Sequence, residues 1–542
     1  MLVVVMAVVL ASYAFEYRIY PPDSDEGIHL VQGLNPALDA QAGQWKALAR
    51  RLYFQRWYPP LYSALLSAAF AFTGPSLIAA RMINVALWAL SLLVMTLIAR
   101  SLCDDRAFVS GAVTLLLGAT APVPMLVSTL CMEESLAVLL SFSCVLSYVH
   151  ARDPAPARHA TTWRTGLLLA MVFLSRIPVA LFLAGSLFVN EVLEGEWGKR
   201  KQLATRLVAL LGPAVLVALA WLGHPDKLMD FLEYVQASVP RFPLFSKANL
   251  THYPLVLMTM YVAAWPLAPW IVAATLTSLW QWWNRSVRLL LLMILVTIAS
   301  LMVKRQVNPR FAILAAPALF ILTGSQAGRA AQRLHAAPRW QRIAIAGLIL
   351  LTLLSAAHPL HRRFATLPLA LEVNYETDPE MTAIYAWVFE QVSPPDRRIV
   401  LINGWNQCSG AALEWYLSTA DLGPARGTGE VIVRQFDLKD PSEEIIGRFT
   451  ELLESQDIRY IVHLQGGPVS YAGAWWAYKA AIQDRITKTG EQSFAIHLWD
   501  GRVRNWLLRN QLSVEEAEEA RVKRHYPVSI RATLFALSQE VD

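Results

Sequence analysis

Three carboxylates fall within four positions at Asp23, Asp25 and Glu26, in a stretch that starts at Pro21-Pro22, ends at Gly27 and follows the first apolar segment directly. A second acidic pair, Glu133-Glu134, stands at the head of another apolar segment, and the basic turn Lys304-Arg305-Gln306-Val307-Asn308-Pro309-Arg310 stands at the head of a third. Charged groups at such places are costly in hydrocarbon and ordinary in water. Together they offer two complementary kinds of chemistry. A carboxylate within hydrogen-bond reach of a hydroxyl accepts its proton as that hydroxyl attacks, and Lys or Arg offsets the charge that grows on a departing phosphate. Without chemistry, Asp23 or Ser24 caps a helix beginning near Glu26, where early acidic residues suit the helix dipole. Capping explains the first group alone and leaves Glu133 and Glu134 unexplained.

The segments that must position these residues are apolar. The chain has 542 residues, 55% hydrophobic and 16% charged, against roughly 45–50% and about 25% for soluble domains. This composition is that of a polytopic membrane protein. Long apolar runs extend to about residue 354, and the last third resembles an ordinary soluble sequence, so one region is expected in lipid and one in water. The net charge of +6 belongs in such a protein to cytoplasmic loops, and no nucleic-acid partner is expected. Cys103, Cys131, Cys144 and Cys408 are widely spaced and form no disulfide or zinc pattern. The run 2–14 lacks a basic leader and a small-residue cleavage site, which makes it a retained first helix.

Stretches able to cross roughly 30 Å of hydrocarbon predict eleven transmembrane helices, near 2–15, 78–100, 107–125, 133–149, 164–176, 178–192, 205–223, 254–282, 287–303, 311–326 and 341–357. Arg176 and Pro178 interrupt 164–192, and the charge pattern favours two spans there over one. With the N-terminus cytoplasmic, every inner loop is basic, from Arg100 and Arg106 to Arg339 and Arg342. The outer segments are then 16–77, a short turn near 126–132, 224–253, 304–310 and everything beyond 358. Three cations in the 304–310 turn violate that rule, which points to a bound anion there; snorkelling to lipid headgroups is the alternative. The first outer loop contains expected helices at 27–34, 45–54 and 59–75, the last lying in the interface, since a crossing would invert all later loops.

Residues 1–357 thus form a transmembrane region and 358–542 an outer soluble one. In the latter, helical patterns (377–391, 411–418, 442–455, 475–484) alternate with strand patterns (398–403, 430–435, 458–464, 493–499), the signature of a small α/β domain. It has no Gly-rich phosphate loop. Its tryptophans, Trp405, Trp415, Trp475, Trp476, Trp499 and Trp506, fit core packing better than a carbohydrate platform.

Several short motifs occur in a characteristic order: Asp25-Glu26-Gly27; Tyr58-Pro59-Pro60-Leu61-Tyr62 leading through Gly74 to Ala80-Arg81; Met132-Glu133-Glu134-Ser135; Phe173-Leu174-Ser175-Arg176; and Asn308-Pro309-Arg310-Phe311. In these the first 330 residues resemble the GT-C superfamily of integral-membrane glycosyltransferases, the branch of protein O-mannosyltransferases and lipid A aminoarabinose transferases. The resemblance implies a polyprenyl-phosphate-linked sugar as donor and a hydroxyl of a cell-envelope glycan, lipid or protein as acceptor. It also implies inversion at the anomeric carbon and a bacterial inner-membrane enzyme with its outer domain periplasmic or extracellular. The family's catalytic base falls on Asp25 and its second acidic residue on Glu133, where Glu replaces the usual Asp. The donor-phosphate candidates are Arg310 first, then Arg305 and Lys304. Arg56 joins them because relatives carry Lys where this chain has Tyr58, and Arg81 and Arg176 because they match recurrent positions.

Glu26, Glu134, His29 and Tyr58 are supporting candidates. Of Glu133 and Glu134 only one can face a cavity, because adjacent helix positions point about 100° apart. Asp23, Asp25, Glu26 and His29 contain ligand types for a divalent cation, but single-sugar relatives work without one, and no cofactor or obligatory metal is expected. Two other readings stay open: an oligosaccharyltransferase or ligase moving a preassembled glycan, and a lipid-linked-sugar flippase or transporter. The second would show two symmetric halves and charges near the bilayer midplane, and the sequence shows no internal repeat.

Overall fold

In this computed structural model the described residues are 2–16, 24–55, 58–103, 107–150, 155–194, 200–236, 265–304, 312–336, 338–343, 381–392, 397–402, 409–420, 431–436, 443–465, 472–499 and 525–538. The helices of the first two thirds are α1 (Leu2–Glu16), α2 (Ser24–Gln41), α3 (Trp45–Tyr53), α4 (Pro60–Thr73), α5 (Leu77–Ser101), α6 (Ala107–Ala119), α7 (Pro122–Ser128), α8 (Glu134–His150), α9 (Ala155–Ser175), α10 (Ile177–Glu194), α11 (Arg200–Leu222) and α12 (Pro225–Gln236). After a 3-10 turn (Trp265–Leu267) come α13 (Ala268–Leu279), α14 (Arg285–Lys304) and α15 (Ala315–Ala336).

Among the described residues, α5, α10, α11 and Arg285–Met302 of α14 are long and apolar enough to cross a membrane, with mean hydropathies of 2.2, 1.6, 2.1 and 1.9. The surface of α11 shows why lipid suits them. Val208, Val215, Leu216 and Leu219 lie along one side of it and are each more than half exposed, a continuous apolar stripe that hydrocarbon covers at no cost. Small residues bring the helices close on the inner side: a Cβ on Gly166 of α9 would stand 2.5 Å from the Ala209 carbonyl oxygen of α11.

The expected helices are recovered with local differences. The segment 107–125 divides into α6 and α7, because Pro122 has no N–H with which to continue the α6 ladder and instead starts a new helix. The helix expected over 27–34 starts at Ser24 and continues past Pro36 to Gln41. Residues 164–192 fall in two helices, α9 and α10, that part at Arg176. Arg176 reaches Glu134 at the start of α8, while Tyr148 near the end of α8 donates to Glu191 near the end of α10 at 2.7 Å. Helices α8 and α10 therefore run in the same direction, and α9 returns between them. Of the span expected at 254–282, residues 265–282 are described and hold only the 3-10 turn and α13, shorter than expected; most of 341–357 lies outside the described residues, as does Cys408.

The far end of this bundle is closed by its own polar cluster. Arg285 of α14 pairs with Glu191, donates to the Tyr148 hydroxyl at 2.9 Å and lies over the Tyr148 ring. Arg288 binds Asn190 at 2.6 Å and Glu194 at 2.6 Å. Since α14 starts there and rises about 1.5 Å per residue over its 20 residues, it delivers Lys304 to the opposite end.

The C-terminal third has α16 (Met381–Gln391), α17 (Gly410–Ala420), α18 (Glu443–Ser455) and α19 (Ala472–Ala481), with strands β1 (Arg398–Ile402), β2 (Ile432–Phe436), β3 (Tyr460–Gln465), β4 (Ile486–Trp499) and β5 (His525–Leu537). The strand order is β2-β1-β3-β5-β4, with β1 parallel to β2 and β3 and the β5 pairings antiparallel. Strand β1 is apolar on both faces because helices cover both. Ile399 and Leu401 pack with Tyr385 and Val388 of α16 and Leu413 and Leu417 of α17; Val400 and Ile402 pack with Phe449 of α18 and Tyr478 of α19. Strand β5 is absent from the expectations, although Ile530, Ala532 and Leu534 alternate in the period of a strand and are buried together on the α16 side. Trp475 stacks on His463 with centroids 4.6 Å apart and Trp415 packs against Phe70, both buried; these two are core residues.

Burial pushes His463 down to about 4 from 6.5, so the folded chain keeps this ring neutral where the unfolded chain takes a proton. Its contribution to stability is full above pH 6.5 and is lost as the pH falls toward 4. At pH 5.5 the loss is about 1.4 kcal/mol, one unit below the unfolded value. Replacing His463 with Phe, which keeps the stack on Trp475, should flatten the fall of the urea midpoint between pH 7.5 and 5.5, followed by tryptophan fluorescence; an unchanged slope would show that His463 is not the acid-sensitive group.

Candidate functional site

The acidic groups separated by a hundred residues in sequence meet at one end of the bundle. The first turn of α2 carries Asp25 and Glu26, and His29 follows one turn later. Glu26 is fully buried and takes a two-pronged contact from Arg81 of α5, Nε to Oε1 and Nη2 to Oε2, both 2.8 Å. The Glu26 Oε1 also accepts the Cys131 backbone N–H at 2.9 Å. This arrangement satisfies a buried carboxylate with charge-assisted bonds in fixed geometry. It also docks α2 on α5 and on the turn that precedes α8.

That turn is held on further sides. Asn84, one turn beyond Arg81, donates its amide to the Leu130 carbonyl and, at 2.7 Å, to the Met132 carbonyl. Tyr62 of α4 donates to the Asn84 side-chain oxygen at 2.9 Å and lies 3.3 Å from the Cys131 sulfur. Glu133 pairs with His29 and takes Nη1 of Arg176 at 2.6 Å. The same Nη1 is 2.6 Å from Glu134. Arg176 reaches both because the chain reverses there between α9 and α10, placing it at the same end as the first turn of α8.

Tyr58 and Tyr62 frame His29, with ring centroids at 4.5 and 5.2 Å. Burial acts to lower the His29 pKa, but the Glu133 carboxylate beside it outweighs burial, with Glu134 and Asp25 adding to the pull, and the net shift is upward. The ring is thereby favoured as a cation that donates to Glu133. Asp25 differs from its neighbours in access: it is half-buried, whereas Glu26, Glu133 and Glu134 are buried.

Of the residues singled out by sequence, the structure brings together Asp25, Glu26, His29, Tyr58, Arg81, Glu133, Glu134 and Arg176. Arg81 and Arg176, expected to face a donor phosphate, are turned inward: Arg81 is fully buried on Glu26, and Arg176 bridges Glu133 and Glu134. Between the two glutamates, Glu133 is the one that reaches across to α2. Asp23, Arg56, Arg305 and Arg310 lie outside the described residues, and Lys304 is described only as the last residue of α14. Among the described residues, no group of three His, Cys, Asp or Glu lies close enough to hold a metal ion. Asn84 was not singled out in the sequence, Tyr62 stood only as the end of a motif, and Cys131 only as a thiol without a pattern. A signal existed for Asn84, a polar residue one turn after Arg81 in a mostly apolar span; the bond Cys131 makes to Glu26 comes from its backbone, which no side-chain pattern reveals.

No protein-family model matches the sequence, and no curated protein sequence matches it. Solved structures do. ArnT from Cupriavidus metallidurans, a lipid A aminoarabinose transferase, superposes with a TM-score of 0.58 at 13% identity over 98% of this chain and 97% of that one. The same protein bound to undecaprenyl phosphate gives 0.57 at the same identity and coverage. The chain has the GT-C fold. The archaeal oligosaccharyltransferase AglB from Archaeoglobus fulgidus, in complex with an inhibitory peptide and a dolichol-phosphate, gives 0.53 at 15% identity over 85% of this chain and 69% of that one.

Breaking the Glu26–Arg81 pair leaves a buried guanidinium without its counter-charge. Glu26→Gln should therefore cost about 3–5 kcal/mol of stability. Combined with Arg81→Met it should cost less than the sum of the two single changes, by more than about 1 kcal/mol. Equilibrium unfolding of the four proteins in detergent measures this, and strict additivity would show that the pair carries no coupling.

Proposed function

We propose that this protein is an inverting glycosyltransferase that moves a sugar from a polyprenyl-phosphate carrier to a hydroxyl of a cell-envelope glycan, lipid or protein. The observation that carries the reading is the contrast between Asp25 and the carboxylates around it. Glu26, Glu133 and Glu134 are buried, while Asp25 sits half-buried at the head of α2. A general base must reach its proton, and Asp25 is the acid of this group with surface to offer. His29 is buried and paired with Glu133, which sets it apart from that role.

In this mechanism Asp25 accepts the acceptor hydroxyl proton as the oxygen attacks the anomeric carbon from the face opposite the phosphate. Glu133, set by His29 and Arg176, orients the acceptor. Arg310 is the main clamp on the departing phosphate, with Arg305, Lys304 and Arg56 beside it; the return of α14 to the site end supports that placement, since the 304–310 turn follows directly. Arg81 and Arg176 position carboxylates and leave the phosphate to these cations.

The reading includes eleven membrane crossings, a cytoplasmic N-terminus, an inner-membrane location, and an α/β domain from about 358 onward on the outer face. The bound undecaprenyl phosphate of one structural neighbour and the dolichol-phosphate of another support a lipid-linked donor. The AglB likeness favours, as a second reading, transfer of a preassembled oligosaccharide.

Purified protein is incubated with a panel of radiolabelled polyprenyl-phosphate sugars and envelope extracts. Wild type should transfer label, and Asp25→Asn should lose roughly 10²–10⁴-fold in rate while still binding the donor lipid. Undiminished transfer by Asp25→Asn removes it as the base, and label moving across the bilayer without transfer identifies a flippase. In the same assay Arg310→Glu should raise the apparent donor KM; an unchanged value takes Arg310 out of the phosphate site.

A further inference from the structure

Gly27 follows the acidic pair, inside the first two turns of α2, and a glycine there costs the helix roughly 0.5–1 kcal/mol relative to alanine. Its backbone does not call for glycine, since among the described residues the glycines with positive φ are Gly43 and Gly74. The space does. A Cβ on Gly27 would lie 2.9 Å from the Ala412 backbone nitrogen, 3.0 Å from the Ala411 carbonyl carbon and 3.3 Å from the Ala411 Cβ. The first two of those are backbone atoms of α17, which cannot move aside as a flexible side chain would. The first turn of α17 thus sits directly on the part of α2 that presents Asp25.

Helix α17 is shared between two cores. Ala412, Leu413 and Leu417 belong to the core beneath the sheet, while Trp415 belongs to the core of the helical bundle and packs on Phe70 of α4 with centroids 5.6 Å apart. Its N-terminus is fixed from the sheet side. The Ser409 hydroxyl accepts the Ala412 N–H at 3.1 Å as a helix cap, and the Gly410 N–H donates to the Gln435 side chain of β2 at 3.1 Å.

We infer that α17 is a positioning arm: seated on Gly27, it sets the position of the first turn of α2, so that the sheet at the C-terminal end holds Asp25 at its working distance. This rests on the proposed transferase reading for its kinetic consequence. The head of α2 is then held from two sides, by the bundle through Glu26 on Arg81 and Cys131 and His29 on Glu133, and by the sheet through Gly27 on α17. Because a displacement of about 1 Å costs on the order of 10²-fold in rate, the sheet contact matters for turnover even when the bundle contacts keep the helix folded in place.

The experiment uses the full chain in lipid nanodiscs. Ala411→Leu, which wedges α17 away from α2, and Gly27→Ala should each lower kcat for sugar transfer at least tenfold with donor KM within about twofold, whereas Ala411→Ser should match wild type. Ala411→Gly placed on Gly27→Ala should recover part of the lost kcat. Hydrogen exchange at residues 25–30 should speed up in Ala411→Leu while the thermal midpoint stays within the error of wild type. Wild-type kcat in both Ala411→Leu and Gly27→Ala, or a loss shared by kcat, KM and the thermal midpoint, would overturn the proposal. If the wild type itself transfers no lipid-linked sugar, the transferase reading fails, and the exchange measurement alone decides whether α17 sets the first turn of α2.

Discussion

The buried pair of Glu26 and Arg81 is the constraint on which the arrangement of this end of the molecule depends. A carboxylate and a guanidinium taken out of water each lose several kcal/mol of hydration, which only close, two-pronged contact and additional hydrogen bonds recover. Here both prongs form at 2.8 Å and the Cys131 N–H supplies the extra bond. The pair is therefore geometrically exacting. It requires α2, α5 and the turn before α8 to be in one relative placement, and every other polar contact of the cluster follows from that placement: Asn84 on the same turn, His29 on Glu133, Arg176 across both glutamates.

The opposite end repeats the principle with different residues. Tyr148, Glu191, Arg285, Asn190, Arg288 and Glu194 join α8, α10 and α14 by a second network. Between the two networks the helices meet through apolar and small side chains, which pack closely but specify rotation and register weakly. Polar clusters at both ends thus supply the directional information that hydrocarbon packing lacks. The same logic accounts for Arg81, whose guanidinium is spent on a buried carboxylate.

The C-terminal sheet is joined to this scaffold through α17, which buries one face under β1 and β2 and the other against α2 and α4. A helix with two apolar faces in two cores resists sliding in either, and the glycine at residue 27 lets its backbone come within contact of α2. Geometry at the head of α2 is in this way a product of both halves of the chain.

Much of this was legible in the sequence. Apolar run length and charge marked most of the bundle helices to within a few residues, the break at Arg176 included, because the helix period and the cost of charge in hydrocarbon leave few alternatives. Alternating patterns marked β1 to β4 and all four helices around the sheet, while β5 went unrecognised and closes the sheet between β3 and β4 all the same. Residue type and motif order drew attention to Asp25, Glu26, His29, Glu133, Glu134, Arg81 and Arg176. Only the tertiary structure decided what each of these does for its neighbours. Which carboxylate is locked and which is half-exposed, and whether an arginine faces a ligand or a buried glutamate, depend on distances between residues fifty to a hundred positions apart. Local sequence carries no record of such distances; the crossing of α2 over α5, α8 and α17 sets them.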